Sequence, residues 1–161
     1  MRRKTVGVAA GIAGAAVIAF LVASCGDSTG PGGKVYTADL SPANERPTPF
    51  TTPGTGFATI VDNGDRMDWT LQLTNMTGVI LSHIHLGDSE TVGPVIINLF
   101  IPNVATGTVS GVVAQGTITN ANNANVSLDS LRVLFNNGHA YVNVHTQAHT
   151  GGEIRAQVAP R

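Results

Sequence analysis

Residues 55–73 constrain this chain more than any other stretch. Met67, Trp69, Leu71 and Leu73 alternate with Asp68, Thr70 and Gln72, a period of two that gathers the apolar side chains on one face of an extended strand but not of a helix. Residues 55–61 before it are strand-like, and Asn63-Gly64 between them is the pair favoured where antiparallel strands turn back. A hairpin with one core face and one wet face follows. Further strands are expected at 35–40, 79–86, 94–101, 106–119, 141–145 and 153–158, broken by residues 87–93 and by Pro102-Asn103. The last two are expected to pair as a hairpin through 147–152. Four prolines between Ser41 and Pro53 cannot donate to a ladder, so that segment is expected as an ordered loop or a sheet edge. Residues 125–138 alone have helical spacing: Leu128, Leu131, Leu134 and Phe135 share a side, Ser127 is placed to cap the start and Gly138 the end. The fold class expected is all-β with one short helix, a Greek-key antiparallel β-sandwich or barrel in a single domain.

The N-terminus sets the organisation around that domain. Arg2, Arg3 and Lys4 precede an uncharged run, residues 5–24, rich in Ala, Val, Gly and Ile, which reads as an export signal. Its 20 residues are also long enough for a spanning helix, but it ends in Leu21-Val22-Ala23-Ser24-Cys25, apolar and then small residues before the only cysteine. That ending resembles a lipobox. The expected division is a lipoprotein signal peptide at 1–24, a lipidated Cys25 with a flexible Gly-rich linker to 34, and a folded domain over 35–158. Lipidation accounts for the single thiol, and one cysteine excludes a disulfide scaffold. The expected location is a bacterial cell envelope, anchored on its periplasmic or surface face. Beyond the leader, six basic side chains stand against ten acidic ones, a formal charge of −4. That balance argues against nucleic acid, whose phosphates need clustered Lys and Arg. The partners expected are the membrane, through the anchor, and an unidentified protein or small ligand.

The chemistry-bearing residues fall in two strands. His83 and His85 are two apart on one strand face, where two imidazoles can grip one cation. Tyr141, Asn143 and His145 repeat the alternation with Val142 and Val144 on the other face. Three imidazoles converge if the two strands are neighbours, and a three-histidine site with an open position suits zinc or copper, with Glu153 as a carboxylate ligand or an outer partner. The alternative is a polar cluster in which His83, His85, Asn143, His145, Glu153 and Arg155 satisfy one another. Glu45 with Arg46, and Glu153 with Arg155 on a shared strand face, are the other charged spots, and Arg can hold a ligand carboxylate by its fork. His139 and His149 read as surface residues. No nucleophile elbow and no phosphate-cradling glycine loop is present, so no catalytic residue is assigned.

Three blocks together resemble the CHRD (chordin-type) domain family. Leu40 to Pro47, LSPANERP, followed by Thr55-Gly56, is similar to the family's opening L-x-G-x-x-E-x-P and the turn after it. Ser82-His83-Ile84-His85 with Gly93-Pro94-Val95 resembles A-H-I-H…G-P-V. Tyr141-Val142-Asn143-Val144-His145-Thr146 with Gly152-Glu153-Ile154-Arg155-Ala156-Gln157 is close to Y-V-N-V-H-T…G-E-I-R-G-Q. The departures are Pro42 and Ala156, where the family often has Gly, and a short polar segment before Gly152. The resemblance implies a β-sandwich-like extracytoplasmic module with no established enzymatic role. His-x-His followed by Gly87-Asp88 is also similar to copper–zinc superoxide dismutase, but residues 87–138 hold no histidine and the single cysteine forbids that enzyme's disulfide.

Overall fold

The computed structural model describes residues 33–49, 51–123 and 125–161. The leader, Cys25 and most of the linker lie outside them. The chain runs β1 (Lys34–Leu40), a 3-10 turn (Pro42–Asn44), β2 (Thr55–Asp62), β3 (Met67–Thr77), β4 (Val79–Leu86), β5 (Val95–Phe100), β6 (Thr108–Ile118), α1 (Leu128–Asn136), β7 (Ala140–Thr146), β8 (Ile154–Gln157) and β9 (Ala159–Pro160). All pairings are antiparallel and form two sheets, in the orders β6-β3-β2-β1-β9 and β5-β4-β7-β8. β3 and β6 are neighbours in the first sheet, while β4 and β5, between them in sequence, pair in the second. β7 then returns beside β4, so the connections cross between sheets in Greek-key fashion. The result is a sandwich, and its sheets are stitched at one corner. Ser41, just past β1, exchanges two backbone hydrogen bonds with Arg155 of β8, at 3.2 and 3.3 Å.

The β2–β3 hairpin forms as the alternation requires, with Met67, Trp69, Leu71 and Leu73 buried on its inner face. Its turn is longer than the Asn-Gly pair suggests. Residues 63–66 make it, closed by the Asn63 N–H donating to Arg66 O at 2.9 Å, and only Gly64 takes positive φ (94°). Facing these residues from the second sheet are Ile84, Val142, Val144, Ile154 and Ala156, and the two inner faces make one apolar core. α1 closes one end. The Ser127 hydroxyl accepts from Ser130 N at 3.1 Å, Leu128, Leu131 and Phe135 are buried, and Gly138 at φ 67° lets His139 N–H donate to Leu134 O at 2.9 Å. Phe135 meets the Tyr36 ring edge-on at 5.2 Å, and Arg132 holds both Asp62 oxygens at 2.7 and 2.8 Å. Among the described residues no helix is long and apolar enough to cross a membrane.

Candidate metal centre

β4 and β7 are adjacent antiparallel strands, with His83 opposite Asn143, His85 opposite Tyr141 and Leu81 opposite His145. Ile84, Val142 and Val144 point into the core, so His83, His85, Tyr141, Asn143 and His145 project from the outer face of the sheet. That outer face is covered rather than wet. The three histidines are 7–8% exposed, Asn143 4%, Tyr141 1% and Arg155 2%. The cover comes from the segment after β1, which brings Glu45, and from residues 87–93 and 147–152, which lie against the ring and guanidinium groups.

One ring nitrogen from each of His83, His85 and His145 lies within 4.8 Å of one from each of the others. Two of these rings are held from behind. His85 Nδ1 lies 2.9 Å from Gly93 O, and His145 Nδ1 lies 2.9 Å from Thr150 O. A carbonyl can only accept, so each Nδ1 carries the proton and each Nε2 keeps its lone pair. Both Nε2 atoms are buried without a partner, and so is His83 Nδ1. Burial, aided by the charges of His145 and His85, pushes the His83 pKa down to about 4. Burial also lowers His85 and His145, against the pull of their carbonyl partners. At neutral pH the cluster is therefore three uncharged imidazoles. Such rings, with backbone carbonyls behind two of them, are the kind of donor that transition-metal sites use. A tetrahedral ion at 2.0–2.1 Å needs nitrogens about 3.3 Å apart, so each ring would move inward by less than about 1 Å.

The carboxylates are arranged differently from the sequence expectation. Glu153 is buried, but its carboxylate accepts from the Thr146 hydroxyl at 2.6 Å and faces Gly54. It does not share a face with Arg155: Glu153 meets Thr146, whereas Arg155 packs on Tyr141, which projects from the opposite face of β7. Nor does any carboxylate oxygen belong to the nitrogen cluster among the described residues. The carboxylate that faces Arg155 is Glu45. Burial raises its pKa to about 7, opposed first by the Arg155 charge and then by the Arg46 N–H and an Asn143 side-chain hydrogen bond. The polar groups of this cluster satisfy one another only in part. Glu45 Oε1 and Asn143 Oδ1 lack partners, as do three ring nitrogens.

Arg155 instead anchors the cover. Its guanidinium carbon lies 3.5 Å from the centre of the Tyr141 ring, and Nη1 and Nη2 donate to Thr91 O and Asp88 O at 3.1 and 2.9 Å. The Tyr141 ring also stacks on His85, 4.9 Å away at 8°. Gly93 ties this stack to the cover, since its N–H donates to Tyr141 Oη at 3.0 Å while its carbonyl takes His85 Nδ1. A Cβ at Gly93 would run into Leu86 O, and one at Gly152 would lie 2.5 Å from Asn143 Nδ2. Tyr141, Gly93 and Thr150 thus belong to the site although the sequence analysis gave none of them a role in it. For Tyr141 the signal was present in its alternation with Asn143 and His145. His139 is exposed and His149 half-buried, and neither joins the cluster.

The three sequence blocks singled out at the start therefore meet in one place, Glu45 from the first, His83, His85 and Gly93 from the second, and residues 141–155 from the third. No curated protein and no solved structure matches the chain. A family model described as the CHRD domain matches residues 36–158. The chain thus belongs to the CHRD domain family, a membership that suggests a non-catalytic binding or structural module.

Proposed function

We propose that this protein is a lipid-anchored, extracytoplasmic CHRD module whose ligand is a transition-metal ion held by His83, His85 and His145. The observation that carries the reading is three buried histidines, each offering a ring nitrogen within 4.8 Å of the others and each with one ring nitrogen left unpartnered. Leaving three buried acceptors unpaired costs free energy on the order of 1–3 kcal/mol each, and an ion bound among them recovers that cost. Zinc and copper both suit imidazole. The anchor and the location rest on residues 5–25, where an apolar run ends in small residues before the single cysteine.

Elemental analysis of the untagged full chain tests the metal reading. About one equivalent of zinc or copper is expected, absent from a His83→Ala/His85→Ala variant. A folded wild-type chain that neither carries nor takes up metal on titration would leave a polar structural cluster. The anchor is tested separately by Cys25→Ala, which is expected to move the protein from the membrane fraction to the soluble one. Undiminished membrane retention would mean that residues 5–24 themselves span the bilayer.

A further inference from the structure

We infer that the ion this site selects is copper in its monovalent state. The inference rests on the metal reading above and goes beyond it to the identity and charge of the ion. The donor set contains imidazole nitrogen and nothing else, with neither thiolate nor carboxylate among the clustered ligand atoms of the described residues. The three rings are 92–93% buried. An ion placed there exchanges water for a medium that screens poorly, and its desolvation cost rises with the square of its charge.

The charges around the cluster sharpen that cost. Arg155, itself 2% exposed, packs on Tyr141, the same ring that stacks on His85. That stack puts the guanidinium one ring away from His85, where its charge works against a further positive charge. The two buried carboxylates that could offset a cation are engaged elsewhere. Glu153 is hydrogen-bonded to Thr146, and Glu45 faces Arg155. A divalent ion would meet the Arg155 charge with twice the repulsion of a monovalent one and would find no carboxylate oxygen among its ligand atoms. Copper(I) carries one charge, binds imidazole, and is satisfied by three ligands, so it needs no hydroxide in a fourth position. Two rings fixed through their Nδ1 atoms and a third, His83, whose buried Nδ1 has no partner, match that low coordination number.

The test is a competition titration of the full chain in the Cys25→Ala background, which removes its one thiol. Copper(I) is titrated anaerobically against bathocuproine disulfonate, and copper(II) and zinc(II) against chelators for divalent ions. One equivalent of copper(I) held about 100-fold more tightly than copper(II) is the expected result. A folded Arg155→Gln variant should narrow that preference about tenfold, because the repulsion it removes acts more on the divalent ion. Copper(II) or zinc(II) bound as tightly as copper(I), and lost with His83→Ala/His85→Ala, would overturn the inference and leave the metal reading standing. No stoichiometric binding of any of the three ions would overturn both.

Discussion

His85 and His145 each spend one nitrogen on a backbone carbonyl, whereas the His83 Nδ1 is buried with no partner at all. This difference is visible in acid. All three pKa values lie below the ordinary histidine value, so the unfolded chain takes up protons first as pH falls. The stability the neutral rings contribute is therefore complete above pH 6.5 and is lost as pH falls from 6.5 toward about 4, the value to which His83 is pushed. Glu45 acts in the opposite sense. Its folded pKa of about 7 exceeds 4.5, so its contribution is complete below pH 4.5 and is lost as pH rises toward 7. The two trends oppose each other between pH 4.5 and 6.5. Glu45→Gln removes one of them, and urea unfolding of the metal-free variant should show stability rising more steeply with pH across that window than in the wild type. A slope equal to wild type would show that Glu45 titrates normally. None of these shifts was legible in the sequence, because alternation assigns His83 to a face and cannot say that the face is covered.

At the scale of elements, the sequence was most informative where a periodic run ended in turn or capping residues. β4 covers residues 79–86 as expected, and α1 begins after Ser127 and closes at Gly138. Replacing Ser127 with Ala removes the acceptor for Ser130 N and should cost about 1 kcal/mol. Because α1 packs against Tyr36 at the end of the sandwich, metal content should not change. A variant that lost metal together with stability would indicate coupling between α1 and the β4–β7 face. The sequence was least informative where geometry departs from the regular period. β3 continues to Thr77 through a bulge in which Asn75 takes φ 53°, past the end of the apolar alternation at Leu73. Glu153, just before β8, likewise turns to Thr146 and away from Arg155.

On the scale of the whole molecule, the sequence indicated eight of the nine described strands and the class of fold, but strand patterns carry no information about neighbours. The site depends on β7 lying beside β4, a pairing of segments more than fifty residues apart. Only the resemblance of the three blocks to one family suggested that they belong together. Since the folded arrangement creates the site, an ion that binds it stabilises the fold by mass action. About 2.7 kcal/mol is expected at free metal one hundred times the dissociation constant, read as a rise in Tm that His83→Ala/His85→Ala abolishes. The carbonyls behind His85 and His145 have a further consequence for how such a chain can vary. Gly93 lies between β4 and β5, and Thr150 between β7 and β8. Lengthening or shortening either connection would untie a ring from its support, whereas no described residue in the stretch between β6 and α1 supplies either carbonyl. Insertions and deletions should therefore accumulate in the latter, leaving the two short loops as the fixed-length parts of the molecule.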